Sequence, residues 1–270
     1  CNVYLIRDGN RGTLIDFGAG RILDYLPQLG ITEVSGILHT HHHRDQCQGD
    51  HLAASRRIPI AVPDYEYHLF ADVENFWRNR RVYHEGYVTR NDYFTLAASV
   101  PVAARIPDYE TFRWGGRPFY VLPAPGHTLG SIVLLTEIDG RKVAFIGDLM
   151  HSPGKVRTLH ELQHHYGGNE GVDFTIFSLH RLRDEKPELL CPSHGNPMAE
   201  AGSAIGETIT GLSEYYRLVA TANPTVENQP FAISPHLVAS DKTAGNFYVI
   251  VSESGKAMFI DYGFPSGEFS

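Results

Sequence analysis

The sequence predicts a layered α/β fold with its chemistry at the ends of strands. Three observations carry that expectation. Short apolar runs rich in β-formers alternate with a stretch of helical spacing, as in NVYLI, GTLIDFG, ILDYLPQLG and VSGILHT over residues 2–40. The run VSGILHT delivers HTHHHRDQ (39–46), four histidines, an aspartate and a glutamine in eight positions, at its C-terminal end. A strand–turn–strand pattern also recurs three times along the chain.

Each element follows from its local signals. NVYLI and GTLIDFG flank the turn-prone RDGNR, which makes them a hairpin. ILDYLPQLG reads as a helix stopped at Gly30, and VSGILHT as a buried strand. DHLAASRR (50–57) is expected to be helical and IPIAV to be a further strand. From Pro63 to about Gly116 the pattern changes to a helical YEYHLFADVENFWRNRR and then an irregular aromatic stretch. Residues 63–116 read as an insertion over the site, a substrate lid; a plain helical excursion with buried aromatics is the equal alternative. RPFYVLPAPGHTLGSIVLLTEIDGRKVAFIGDLM returns to strands and a hairpin. LHELQHHY and FTIFSLHRL are expected helices, ELLCPS a strand ending near His194, and IGETITGLSEYYRLVATA a closing helix stopped by Asn223-Pro224.

The three similar hairpins are residues 2–18, 131–148 and 246–263. The first and third share N-[VF]-Y-[LV]-I…[IF]-I-D-[FY]-G, which favours a true repeat over chance. Residues 1–222 therefore form the expected main domain. Residues 223–270 form a linker and the first hairpin of a truncated second copy. That hairpin is an expected contact for an intramolecular or homo-oligomeric partner, since a lone hairpin is marginal.

Composition excludes several classes. A formal charge of −8 and a pI near 6.0 supply no basic stripe, so nucleic acid is not an expected partner. No apolar run is long enough to cross a bilayer, so no membrane partner is expected. Three cysteines without paired spacing argue against a disulfide framework and favour a reducing compartment, the cytoplasm. The chain opens on CNVYLI without Met and reads as cropped, which removes targeting evidence.

A hydrolytic metal site needs imidazoles and carboxylates converging from rigid strand ends, with one position left for water. His41 and His43, two apart on a post-strand turn, can face one ion, and Asp45 follows at the next alternate position. His127 lies in the glycine-flanked turn APGHTLGS, Asp148 ends FIGDLM, and His194 ends LLCPSHG.

In this order T-H-x-H-x-D, P-G-H-T-x-G-S, G-D and S-H-G resemble the metallo-β-lactamase fold superfamily over residues 1 to about 200. The resemblance implies a four-layer αββα sandwich with metals at one edge and pseudo-symmetric halves. It implies that His41, His43 and His127 hold a first metal, which Asp148 bridges to a second held also by Asp45 and His194. Zinc, one or two ions, is the expected cofactor, with iron and manganese as alternatives. The family's sixth protein ligand, a His directly after the Asp, is here Gln46. An amide oxygen is a weaker zinc ligand than imidazole, so the second site is expected to be weakened or filled by a harder ion. Cys47 and His42 are the neighbours that could compensate, though His42 is expected to point away from His41 and His43. His39 is expected to be buried, and His151 to lie near substrate or at the surface.

The expected activity is metal-dependent hydrolysis of an ester, thioester, lactone or related small organic substrate. Metal-activated water attacks, and Asp45 orients it and passes a proton to the leaving group. The aromatics Phe76, Trp77, Tyr83, Tyr87, Tyr93 and Phe94 favour a small substrate. Two alternatives remain open at the level of sequence. One is a mononuclear iron dioxygenase acting on persulfides through His41, His127 and Asp148. The other is a catalytically silent scaffold.

Overall fold

Period-two alternation decides how the strands stack. Leu14 and Ile37 face one core while their chain neighbours Ile15 and Leu38 face another, so the sheet they share is apolar on both sides. The structure is a computed structural model describing residues 1–79, 94–162, 170–222, 231–240 and 247–261. Contacts divide the chain into two units, Cys1–Leu212 and Ser213–Ser270.

In the first unit the opening hairpin pairs β1 (Tyr4–Asp8) with β2 (Arg11–Ile15). Parallel strands β3 (Glu33–Leu38), β4 (Ile60–Pro63) and β5 (Ala104–Ile106) extend it into a five-stranded sheet, ordered β1-β2-β3-β4-β5. The second sheet holds β6 (Thr111–Trp114), β7 (Arg117–Pro123), β8 (Ile132–Ile138), β9 (Arg141–Gly147) and β10 (Leu189–Pro192). It is antiparallel from β6 to β9, and β10 joins β9 in parallel. Ile6, Ile15, Leu38 and Ile106 of the first sheet meet Phe119, Val121, Leu134 and Phe145 of the second. Each such fully buried side chain contributes roughly 1.5–3 kcal/mol.

The outer face of the first sheet is covered by four short helices. These are α1 (Arg44–Cys47), α2 (Asp50–Ser55), α3 (His68–Ala71) and α4 (Val73–Asn79), which supply Cys47, Ala53, Phe70 and Val73 to the core. α5 (Glu170–Asp184) lies by the second sheet, where Ser178 Oγ donates to Pro125 O. The arrangement is an α/β sandwich. α6 (Ala201–Ala222) contains the division between the two units.

Two expected elements differ. ILDYLPQLG forms only a 3-10 turn at Arg21–Asp24 followed by turns, because Pro27 lacks the N–H that continues a helix. Residues 63–116 are partly sheet, since β5 and β6 belong to the two sheets. Tyr83, Tyr87 and Tyr93 lie outside the described residues. Among the described residues no helix is long and apolar enough to cross a membrane.

The second unit carries a four-stranded antiparallel sheet of β11 (Phe231–Ser234), β12 (Leu237–Ser240), β13 (Phe247–Val251) and β14 (Ala257–Ile260). Its last hairpin pairs Tyr248 with Ile260 as β1 and β2 pair Tyr4 with Ile15. The residue after the second strand or at its end is left-handed in all three related hairpins: Asp16 (φ 56), Gly147 (φ 56) and Asp261 (φ 58). An aspartate at positive φ is uncommon, so its recurrence at one position marks a shared local design. Leu14 and Ile15 are buried in the first hairpin, whereas their counterparts Phe259 and Ile260 are exposed in the last.

Candidate metal centre

The site is built where strands of the two sheets end together. Left-handed Asp16 turns its carboxylate back over the strand ends. It accepts hydrogen bonds from Thr40 N (2.9 Å), Thr40 Oγ1 (3.0 Å to Oδ2) and Ser193 Oγ (3.0 Å). One buried carboxylate thus ties together the loops that follow β2, β3 and β10. Thr40 Oγ1 commits its single proton to Asp16, so at 3.0 Å it can only accept from His41 Nδ1. That fixes the tautomer and leaves the lone pair of His41 on Nε2.

His43 begins α1 in extended conformation, its Nδ1 2.8 Å from His127 Nε2. His127 is placed by glycine: a side chain at Gly126, φ +151, would collide with Thr175 of α5. His41, His43 and His127 are all buried, with one ligand nitrogen each inside a common 4.8 Å. Burial, then the neighbouring imidazoles, holds His41 and His127 well below the ordinary histidine value, so both are neutral near pH 7.

Asp148 follows left-handed Gly147 at the end of β9 and faces both halves of the site. Its Oδ2 lies 3.3 Å from His127 Nε2 and 3.7 Å from His41 Nε2. Its Oδ1 lies 2.8 Å from His194 Nδ1, because β10 runs beside β9. His194 Nε2 in turn lies 3.1 Å from Asp45 Oδ2. Hydrogen bonds to Asp148 and then Asp45 raise His194 to about 9. Burial pushes Asp148 up. At Asp45 burial is outweighed by the His194 hydrogen bond and the charges around it, which hold the carboxyl down.

These residues fit a divalent cation. His41 Nε2 and Asp148 Oδ2 are buried, face each other and hydrogen-bond nothing among the described residues. Such groups are costly unless something polar completes them. Neutral imidazoles with a carboxylate at one side are the donor set of zinc, iron and manganese sites.

The chain matches the family model of the metallo-β-lactamase superfamily over residues 1–194. It belongs to that superfamily. Solved structures agree on the fold. The B3 metallo-β-lactamase BLEG-1 is 24% identical, with a TM-score of 0.55 over 77% of this chain and 91% of its own. A metallo-β-lactamase family protein from Thermus thermophilus is 20% identical, with a TM-score of 0.58 over 85% and 78%. The FEZ-1 metallo-β-lactamase from Legionella gormanii is 15% identical, with a TM-score of 0.58 over 82% and 90%. Superfamily and histidine cluster together support a metal-dependent hydrolase as the general class.

This member of the superfamily departs from the motif at Gln46, which is fully buried with neither amide atom hydrogen-bonded among the described residues. Its backbone carbonyl accepts from Phe17 N and Gly18 N, fixing α1 against the loop that carries Asp16. Neither neighbour compensates. Cys47 packs into the core, its Sγ donating to His43 O (3.2 Å), and burial pushes its thiol well up. His42 turns to Glu66, 3.1 Å from Nδ1 to Oε2. His39 is buried as expected, stacked on Phe70, with Asp16 and Asp50 at its two nitrogens.

Three residues at the site escape sequence reasoning. Asp16 is visible there only as the end of a repeated hairpin. Glu66, buried at the start of the 63–116 stretch, accepts from Thr128 Oγ1 (2.5 Å) and Gly130 N (3.2 Å) and so clamps the His127 loop. A side chain at Gly130 would collide with Glu66, which explains that glycine. Arg157, beyond β9, brings Nη1 to 3.6 Å from Asp45 Oδ2 and 4.0 Å from Asp148 Oδ2. Nothing in the local sequence marks Glu66 or Arg157.

Of the described aromatics in the 63–116 stretch, Phe94 stands edge-on to His43 at 5.6 Å. Trp77 instead packs on the core and donates to Leu96 O (2.8 Å), a structural role. His151 lines a cavity of about 580 Å³ between the loop after Asp148, the residues following His194 and the first turns of α6.

Proposed function

We propose that the chain is a hydrolase that acts through a divalent metal ion on an ester, thioester, lactone or related small organic substrate. The observation that carries this reading is the convergence of three buried histidines, His41, His43 and His127, on the carboxylate of Asp148. These three histidines would hold the first ion, with Asp148 between it and a weaker second position formed by Asp45 and His194, Gln46 contributing weakly. Zinc suits the donor set best, with iron or manganese as alternatives. A bound ion supplies Lewis acidity, which makes water nucleophilic near neutral pH and polarises a carbonyl.

The chain's own residues do the rest. Asp16 and Thr40 hold His41 in the tautomer that presents Nε2. Asp45, kept ionised beside His194, orients the attacking water, takes its proton at Oδ2 and delivers it to the leaving group. Phe94 at His43 supplies apolar surface beside the centre for a small organic molecule. The acidic chain favours no nucleic-acid partner.

The domain assignment is part of the proposal: residues 1–222 as the metallo-β-lactamase-like domain and 223–270 as a linker and hairpin of a second copy. The shared pairing register and the recurring left-handed aspartate support it.

The test is a substrate panel of aryl esters, thioesters, lactones, β-lactams and a phosphodiester, with protein loaded with zinc, manganese or iron. Turnover that EDTA abolishes and Asp45→Asn reduces by about 100-fold or more is expected. No turnover with any metal contradicts the hydrolase. Oxygen uptake with a persulfide by the iron form would instead select the dioxygenase reading.

A further inference from the structure

We propose that Arg157 takes the place of a second metal ion, so that the centre binds one cation tightly and resists another. This rests on the metal-dependent reading above. Asp45, Asp148 and His194 would together make a reasonable cation site: Asp148 Oδ1 is 2.8 Å from His194 Nδ1, and Asp45 Oδ2 is 3.1 Å from His194 Nε2. That side of the centre is already served by a cation. Arg157 Nη1 stands 3.6 Å from Asp45 Oδ2, on the carboxylate that a second ion would need, and 4.0 Å from Asp148 Oδ2, the oxygen turned to the histidines. Guanidinium is permanently charged, so it cannot yield by losing a proton as a lysine could.

The histidine side is different. The charge nearest to His41 and His127 is the carboxylate of Asp148, 3.7 Å and 3.3 Å away. A first ion therefore enters where the nearest charge is negative, and a second meets a fixed positive one. Gln46 fits the same division. Its neutral amide replaces the family's imidazole at the position next to Asp45, so the second side has lost a strong donor and gained a cation. Either change alone weakens a second ion, and together they make the loss a design of this chain rather than an accident of one substitution. Arg157 is a positioning residue for Asp45, holding its carboxylate where the second ion would otherwise hold it.

The test is equilibrium dialysis of the full chain against Co²⁺, with the visible spectrum as a second readout, for the wild type and for Arg157→Met, Arg157→Lys and Gln46→His. One tight equivalent is expected for the wild type, with Arg157→Lys between it and Arg157→Met because a lysine can yield its proton. Arg157→Met should bind a second equivalent about ten-fold tighter or more, the scale on which groups around the ligands tune metal affinity. Gln46→His should strengthen the second equivalent less than the double variant with Arg157→Met does. A second equivalent that Arg157→Met leaves unchanged or weakens overturns the proposal while leaving the metal reading intact. So does a wild type that binds two equivalents equally tightly. A wild type that binds no cobalt overturns the metal reading, and this inference with it.

Discussion

Glu66 is the residue whose replacement should reach furthest from where it sits. Its carboxylate is buried and meets three partners: Thr128 Oγ1 at 2.5 Å, Gly130 N at 3.2 Å and His42 Nδ1 at 3.1 Å. Burial alone would push its pKa up. The His42 charge and the Thr128 hydrogen bond outweigh burial and hold it down. Glu66→Gln keeps one acceptor but removes the charge, a loss of about 1.5–3 kcal/mol for hydrogen bonds to a charged group. Glu66→Ala leaves all three partners buried without it and should cost roughly 3–5 kcal/mol. Because Glu66 holds the loop that carries His127, metal affinity should also fall about 10- to 100-fold. Denaturant unfolding in EDTA isolates the stability loss, and competition with a chelator measures the affinity. The sign with pH is fixed by the lowered pKa. The Glu66 contribution is full above the ordinary value of 4.5 and is lost as pH falls through its lower folded value, so Glu66→Gln should flatten acid unfolding there. A Glu66→Ala protein that unfolds within about 1 kcal/mol of wild type and binds metal as well refutes the clamp.

Asp16→Asn should lower metal affinity about 10-fold or more, since the Thr40 hydroxyl would no longer be committed to a carboxylate and His41 would lose its fixed tautomer; chelator competition measures it. Thiol labelling at pH 8 should modify Cys1 rapidly and Cys191 and Cys47 only on unfolding, because burial pushes Cys191 to about 11 and Cys47 well up; three fast thiols in the native protein would contradict the packing. Limited proteolysis should remove residues 225–270 before it cuts the first unit, since Phe259, Ile260 and Met258 are exposed there; a tail as resistant as the body would count against a partial second copy.

The fold was legible where one signal sufficed. Alternating apolar residues marked the strands, and the order of T-H-x-H-x-D, P-G-H-T, G-D and S-H-G implied the sandwich and its edge. Those motifs lie at strand ends, and topology brings them together, so His41, His43, Asp45, His127, Asp148 and His194 all converge. Glu66 and Arg157 were illegible because each works through partners distant in sequence: Glu66 reaches Thr128, and Arg157 reaches Asp45. No local spacing encodes such a pairing. ILDYLPQLG misled because its apolar spacing outvoted Pro27, whose missing N–H decides the backbone. β5 and β6 were hidden because each is only three or four residues long and stabilised by its sheet neighbour rather than by its own pattern.

The central claim is that His41, His43 and His127 hold a metal ion against Asp148. Elemental mass spectrometry of the chain purified without added metal, beside His127→Ala, tests it most directly. The account predicts about one divalent ion per chain in the wild type and its loss in the variant. A wild type without metal, or a variant that keeps it, would contradict the account.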